Sequence, residues 1–192
     1  LENEIIKDIY LEENFLEQDF LKLLNEHNFK SEIFTDKTVQ NFLWVGFIKI
    51  FFPNSKIIFA ERNPKDICLS IFKIDFKNGF MNFAYDEKDI VEFYNLYSEL
   101  AIFWKELFKN EIHNVKYEKL INNPESEIRK LTNFCDLRWD INFLKHHQNK
   151  SPIKTSSINQ VRKPIYKSSI NLSENYSAYL GKMFNNLDKY QV

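Results

Sequence analysis

Glycine is almost missing from this chain: Gly46, Gly79 and Gly181 are the three in 192 residues. No two of them are close, so neither a Gly-rich dinucleotide fingerprint nor a Walker-type phosphate loop occurs in the sequence. Cysteine is scarce too. Cys68 and Cys135 make no metal-ligand spacing and no disulfide framework, which makes a reducing, cytoplasmic compartment the default. Long apolar runs are absent: the longest, Phe42 to Phe52, is interrupted by Lys49 and is too short to span a bilayer. No sign of charge dominates, because the net charge is -1, and the molecule as a whole exerts no long-range pull on nucleic acid. The chain opens Leu1-Glu2-Asn3 with no initiator Met and no signal-peptide pattern, which reads as the later part of a longer protein.

What remains is the composition of a globular chain. Apolar residues make up 44% and charged residues 28%, enough for a real core. The lean toward Asn, Lys, Ile, Phe and Tyr reflects an AT-rich genome rather than a function. The first thirty residues are acidic with apolar residues at helical spacing (Phe15, Leu16, Phe20, Leu23, Leu24). A brief strand is expected at Glu32-Ile33-Phe34, then a buried helix from Val39 to Phe52 stopped by Pro53-Asn54. Lys56 to Glu61 is the best strand, and Asn63-Pro64 directly after it supplies an N-cap and a first-turn proline for a helix to about Ile74. Ile67, Ile71 and Ile74 would form the inner face of that helix.

A long amphipathic helix spans Asp89 to Phe108, a second strand Ile112 to Tyr117, and Asn123-Pro124 opens a helix to Cys135. A weaker helix near Ile141 to His147 and a helical tail complete the pattern. Strands alternating with helices predict an α/β layer structure with a mainly parallel sheet, in one domain over 1–192.

Two regions could carry chemistry. Ligands of open α/β sheets sit at the carboxyl ends of strands, where helix N-termini present free N–H groups. Arg62 stands at such a strand end, and Ser70, on the inward face of the next helix, could reach an anion that Arg62 also holds. The same spacing also suits a surface Arg beside a Ser bonded to its own backbone. The second region, Ile141 to Ser173, has no acidic residue but carries Lys145, Lys150, Lys154, Arg162, Lys163 and Lys167, interspersed with hydroxyls such as Thr155, Ser156 and Ser157. Cations among small donors suit a phosphorylated ligand, and a solvated basic loop fits equally. Aromatics do not alternate with the charges as a nucleic-acid stacking platform requires. His146-His147 are adjacent, face different ways on a helix and have no acidic or thiol partner at ligand spacing, so no metal is expected. His27 and His113 have no neighbour that would make a nucleophile system.

Taken together these segments resemble the sulfotransferase superfamily, which moves a sulfuryl group from 3'-phosphoadenosine 5'-phosphosulfate (PAPS) to an acceptor. Phe52-Pro53-Asn54-Ser55-Lys56-Ile57-Ile58, leading into Arg62-Asn63-Pro64-Lys65-Asp66-Ile67-Cys68-Leu69-Ser70, looks like the family's 3'-phosphate-binding segment, in which the Arg and Ser hold the nucleotide 3'-phosphate. Val115-Lys116-Tyr117-Glu118-Lys119-Leu120 looks like its Tyr-Glu-x-Leu element, whose Tyr lies near the adenine. Thr155 to Tyr166 resembles the C-terminal motif of the branch containing tyrosyl-protein sulfotransferases and bacterial sulfotransferases fused to tetratricopeptide repeats. Thr35-Asp36-Lys37, followed by Asn41-Phe42, fits that branch as well, where the Lys contacts the transferring group.

The resemblance runs from about residue 34 to 170 and implies a P-loop-NTPase-like three-layer α/β domain. It implies PAPS as co-substrate, no metal, and a hydroxyl-bearing acceptor such as protein tyrosine or a glycan; a homodimer is compatible with it. By position, Arg62, Ser70, Tyr117, Arg162 and Lys163 would bind nucleotide, and Lys37 and Ser156 would face the sulfuryl group. The family's first strand and the Ser/Gly/Thr loop that cradles the 5'-phosphosulfate have no counterpart here. Asn63 stands where the family usually has Asp, and Thr38-Val39-Gln40 lacks the His of small-molecule members. In the tyrosyl-protein branch the base is an upstream Glu, which would precede Leu1, so the chain by itself is expected to be inactive. The alternative class is a non-catalytic α/β module that binds a phosphorylated nucleotide or an acidic partner.

Overall fold

The computed structural model describes residues 33–76, 81–149 and 161–187, together with Gln18, Asp19, Lys22 and Glu26. Those four are helical and exposed; the other residues of the acidic stretch expected to be helical lie outside the described residues. The chain divides into two compact units, Leu1–Ser55 and Lys56–Val192.

In the first unit the apolar run from Val39 does not form one buried helix. A 3-10 turn covers Val39–Leu43, the backbone breaks at Trp44 (φ -113°, ψ 7°), and α1 occupies Val45–Phe51. The turn is tight because Asp36 gathers its first residues. One carboxylate oxygen accepts from the Thr38 N–H and hydroxyl, at 3.0 and 2.8 Å, and the other from Asn41 Nδ2 at 2.8 Å. Those bonds also hold the Asp36 carboxyl below its usual pKa, Asn41 contributing most. Only Val45 and Lys49 of α1 are buried, while Val39, Trp44 and Phe47 are exposed. Lys49 is accommodated because its ammonium donates to the carbonyls of Pro53 (2.6 Å) and Ser55 (3.2 Å), closing the turn beyond the helix. Ile33 and Phe34 are not in a strand: among the described residues the sheet consists of two other strands.

The second unit carries the predicted α/β order. β1 (Ile57–Glu61) leads into α2 (Pro64–Phe72), α3 (Glu87–Leu107), β2 (Ile112–Lys116), α4 (Tyr117–Asn122), α5 (Pro124–Phe134), a kinked 3-10 segment Ile141–Gln148, a 3-10 turn Leu172–Tyr176 and α6 (Ser177–Leu187). β1 and β2 pair in parallel, from Ile57 opposite Ile112 to Glu61 opposite Lys116. The fold class is therefore mixed α/β with a parallel sheet, as the alternation implied. Asn63 caps α2 as expected, its Oδ1 accepting from Lys65 N (2.9 Å) and Asp66 N (3.4 Å). Asp86 does the same for α3, through Lys88 N and Asp89 N. Asn123 begins α5 without a side-chain cap bond; Pro124 alone marks that start.

The core joins α2, α3 and α6. Cys68 and Leu69 pack with Ile90, Val91, Leu180, Met183, Phe184 and Leu187, and each large side chain withdrawn from water there contributes roughly 1.5–3 kcal/mol. The inner face of α2 differs from the expected one. Asp66, Cys68 and Leu69 are the buried positions, Ile71 packs at the core's edge, Ile67 and Ile74 are half-buried, and Ser70 is exposed. A carboxylate took an inward position that hydrophobicity alone assigns to isoleucine. No helix among the described residues is long and apolar enough to cross a membrane.

Candidate functional site

Parallel pairing in register carries both strands to a common edge, so the residue that follows β1 and the one that follows β2 become neighbours. Those residues are Arg62 and Tyr117. The guanidinium carbon lies 4.9 Å from the centre of the phenol ring, a cation–π pair with the Arg side chain 21% exposed. A second bond ties the two junctions together: Asn63 N–H donates to Glu118 Oε1 at 2.8 Å. Two of the residues assigned to nucleotide binding on sequence grounds thus meet at one point, 55 positions apart in the chain.

Arg62 is held on its other side by the C-terminal segment. Its Nη2 donates to the Ser169 carbonyl and lies 3.5 Å from Asp66 Oδ2. Its Nε is buried and finds no acceptor among the described residues. An N–H in that state is a donor awaiting an oxygen. A phosphate supplies several, so the residues present fit an anionic group here.

Beside Arg62 opens a cleft of about 280 Å³, walled by Arg62, Asn63, Tyr94, Tyr97, Lys105 and Glu118 among others. Lys105, from α3, forms an ion pair with Glu61 at the end of β1, with both side chains mostly covered. Burial pushes the Tyr94 and Tyr97 phenols up, and the Glu61 carboxylate adds to the shift at each. Both phenols therefore remain protonated and able to donate. This wall was not legible in the sequence: Tyr94, Tyr97 and Lys105 read as ordinary positions of an amphipathic helix. Glu118 was visible in the Tyr-Glu-x-Leu element, and Asn63 as a helix cap, but not the bond between them.

The remaining assigned residues are spread out. Ser70 is exposed on α2 rather than on its inward face, because Asp66, Cys68 and Leu69 fill that face. Arg162 is half-buried and Lys163 exposed, with the Lys163 carbonyl 3.2 Å from His146 Nε2. Lys37 lies in the first unit, exposed, just ahead of the Val39–Leu43 turn and not at a strand end. Ser156 and Thr155 fall outside the described residues.

Comparison with known proteins bears on this arrangement. A protein of Aquifex aeolicus (strain VF5), named "Uncharacterized protein", is 40% identical over 147 residues, which make up 76% of this chain and 19% of that protein. A Caenorhabditis briggsae "Putative protein-tyrosine sulfotransferase" is 27% identical over 127 residues, 66% of this chain and 45% of its own length. The mouse protein Sulfotransferase 1B1 is 25% identical over 122 residues, 57% of this chain and 41% of its own. The chain thus spans less than half the length of each of these relatives. The model described as "Sulfotransferase family" matches residues 2–141, well over half of the chain and including both junctions that meet at Arg62 and Tyr117, and the chain belongs to that family.

Proposed function

We propose that this chain is the nucleotide-holding part of a PAPS-dependent sulfotransferase. The observation that carries the reading is the Arg62–Tyr117 pair at the carboxyl edge of a parallel sheet, with a buried Arg62 Nε that has no acceptor among the described residues. Arg62 and the exposed Ser70 would hold the 3'-phosphate of PAPS, and Tyr117 would lie beside the adenine. Arg162 and Lys163 would close on the phosphates from the C-terminal segment. Lys37 and Ser156 would face the sulfuryl group.

In transfer, the bond from sulfur to the 5'-phosphate oxygen breaks as one from sulfur to the acceptor hydroxyl oxygen forms, and the hydroxyl proton passes to a base. Negative charge grows on the bridging oxygen, and a fixed cation such as Lys37 is what that change requires. The acceptor is a hydroxyl, of a protein tyrosine or a glycan.

Calorimetry on the protein that contains this chain tests the reading. It should bind 3'-phosphoadenosine 5'-phosphate at least tenfold more tightly than adenosine 5'-phosphate. Arg62→Ala should remove most of that preference, since a hydrogen bond to a charged group contributes about 1.5–3 kcal/mol, or roughly 10- to 150-fold in affinity. Equal affinities for the two nucleotides in the unaltered protein would overturn it.

A further inference from the structure

Asp66 is 1% exposed, in the first turn of α2, and no hydrophobic pattern accounts for a carboxylate there. Its partners do. Oδ1 accepts from Ser173 N–H at 2.8 Å, Oδ2 accepts from Asn171 N–H at 2.9 Å, and Oδ2 also lies 3.5 Å from Arg62 Nη2. Asn171 adopts a left-handed backbone (φ 58°), which turns alternate N–H groups of the segment toward one carboxylate. The Ser169 carbonyl accepts from Arg62 Nη2. A single buried side chain therefore holds the guanidinium that follows β1 and, at Asn171 and Ser173, the end of the basic segment.

We infer that Asp66 is a positioning residue for nucleotide binding, fixing the Arg62 guanidinium and the chain just beyond Arg162 and Lys163 in one arrangement. This rests on the reading above, in which those three cations meet the nucleotide. An ion pair sets the plane of the Arg fork, and a planar fork must be aimed before it can bind phosphate bidentately. The two backbone bonds restrict how far the basic segment can swing from Arg62. Asp66 touches no substrate; it acts through the groups it holds.

The test is Asp66→Asn in the protein that contains this chain. The amide keeps the shape but loses the charge and one acceptor. The readout is the ratio of affinities for 3'-phosphoadenosine 5'-phosphate over adenosine 5'-phosphate, measured beside the urea midpoint. The ratio should fall at least fivefold in protein that is still folded, and Asp66→Glu, which restores the charge, should recover part of it. Should Asp66→Asn fail to fold, Ser173→Pro removes one of the two donors from the opposite side and should lower the same ratio. A ratio unchanged or raised in a folded variant overturns the inference. Absence of any 3'-phosphate preference in the unaltered protein would instead overturn the functional reading beneath it.

Discussion

Glu118 offers a sharp perturbation, because one bond joins the two junctions that make the site. Its Oε1 accepts from Asn63 N–H at 2.8 Å in a partly buried setting. No local substitute exists, since the Asn63 side chain is already bonded to Lys65 N and Asp66 N. Glu118→Ala leaves that N–H without its acceptor, at a cost of about 1.5–3 kcal/mol for a charge-assisted bond. Glu118→Gln keeps an acceptor oxygen of the same reach and forfeits the charge, so about half the cost is expected. With a urea slope of about 2–3 kcal/mol per molar, Glu118→Ala should lower the unfolding midpoint by roughly 0.5–1.5 M. Glu118→Gln should lower it by about half as much. Loosening the bond also frees Arg62 to move off the Tyr117 ring, so nucleotide affinity should decline in the same order. The decisive feature is the ranking. If both variants unfold at the wild-type midpoint, or if Gln is as damaging as Ala, the bond does not join the junctions as described.

Two further outcomes are expected. Burial pushes the Cys68 thiol up to about 12, above its value in the unfolded chain, so the thiolate forms first in the unfolded state. This group's effect on stability is therefore constant below about pH 8, and stability falls by up to about 1.4 kcal/mol per pH unit as pH rises from about 9 toward 12. Urea midpoints across that window should drop faster for wild type than for Cys68→Ala; parallel slopes would contradict the burial. Lys37→Ala should reduce kcat by roughly two to three powers of ten with nucleotide Kd nearly unchanged, whereas Arg62→Ala should act mainly on Kd. A tenfold rise in Kd with kcat intact would make Lys37 a binding residue instead.

The second unit was readable because its signals are local. Asn63-Pro64 declares a helix start within two residues, and the β-branched run before it declares the strand, so Arg62 at the junction could be found from spacing. The Tyr-Glu-x-Leu element placed Tyr117 in the same manner. What escaped was set by distant partners. Asp66 is inward because of N–H groups at Asn171 and Ser173, more than a hundred positions later. The Val39–Phe52 run misled for another reason: apolar content reports a tendency to be buried, not backbone geometry, and the Asp36 bonds to Thr38 and Asn41 decide the latter. Ile33 and Phe34 read as strand from residue type alone, whereas the sheet among the described residues is formed by two other strands.

The register of β1 against β2 has a consequence for how length variation can be tolerated. Glu61 opposite Lys116 is the last rung, and Arg62 and Tyr117 step off it together. Residues added to the crossover between α2 and α3 change its path while leaving both exits where they are. One residue added to or deleted from either strand shifts one exit by about 3.3 Å and turns its side chains to the opposite face of the sheet. Insertions and deletions in functional variants should therefore accumulate between α2 and α3 and be purged from the ten strand positions. A scan of single-residue insertions through 57–116 would trace that boundary directly.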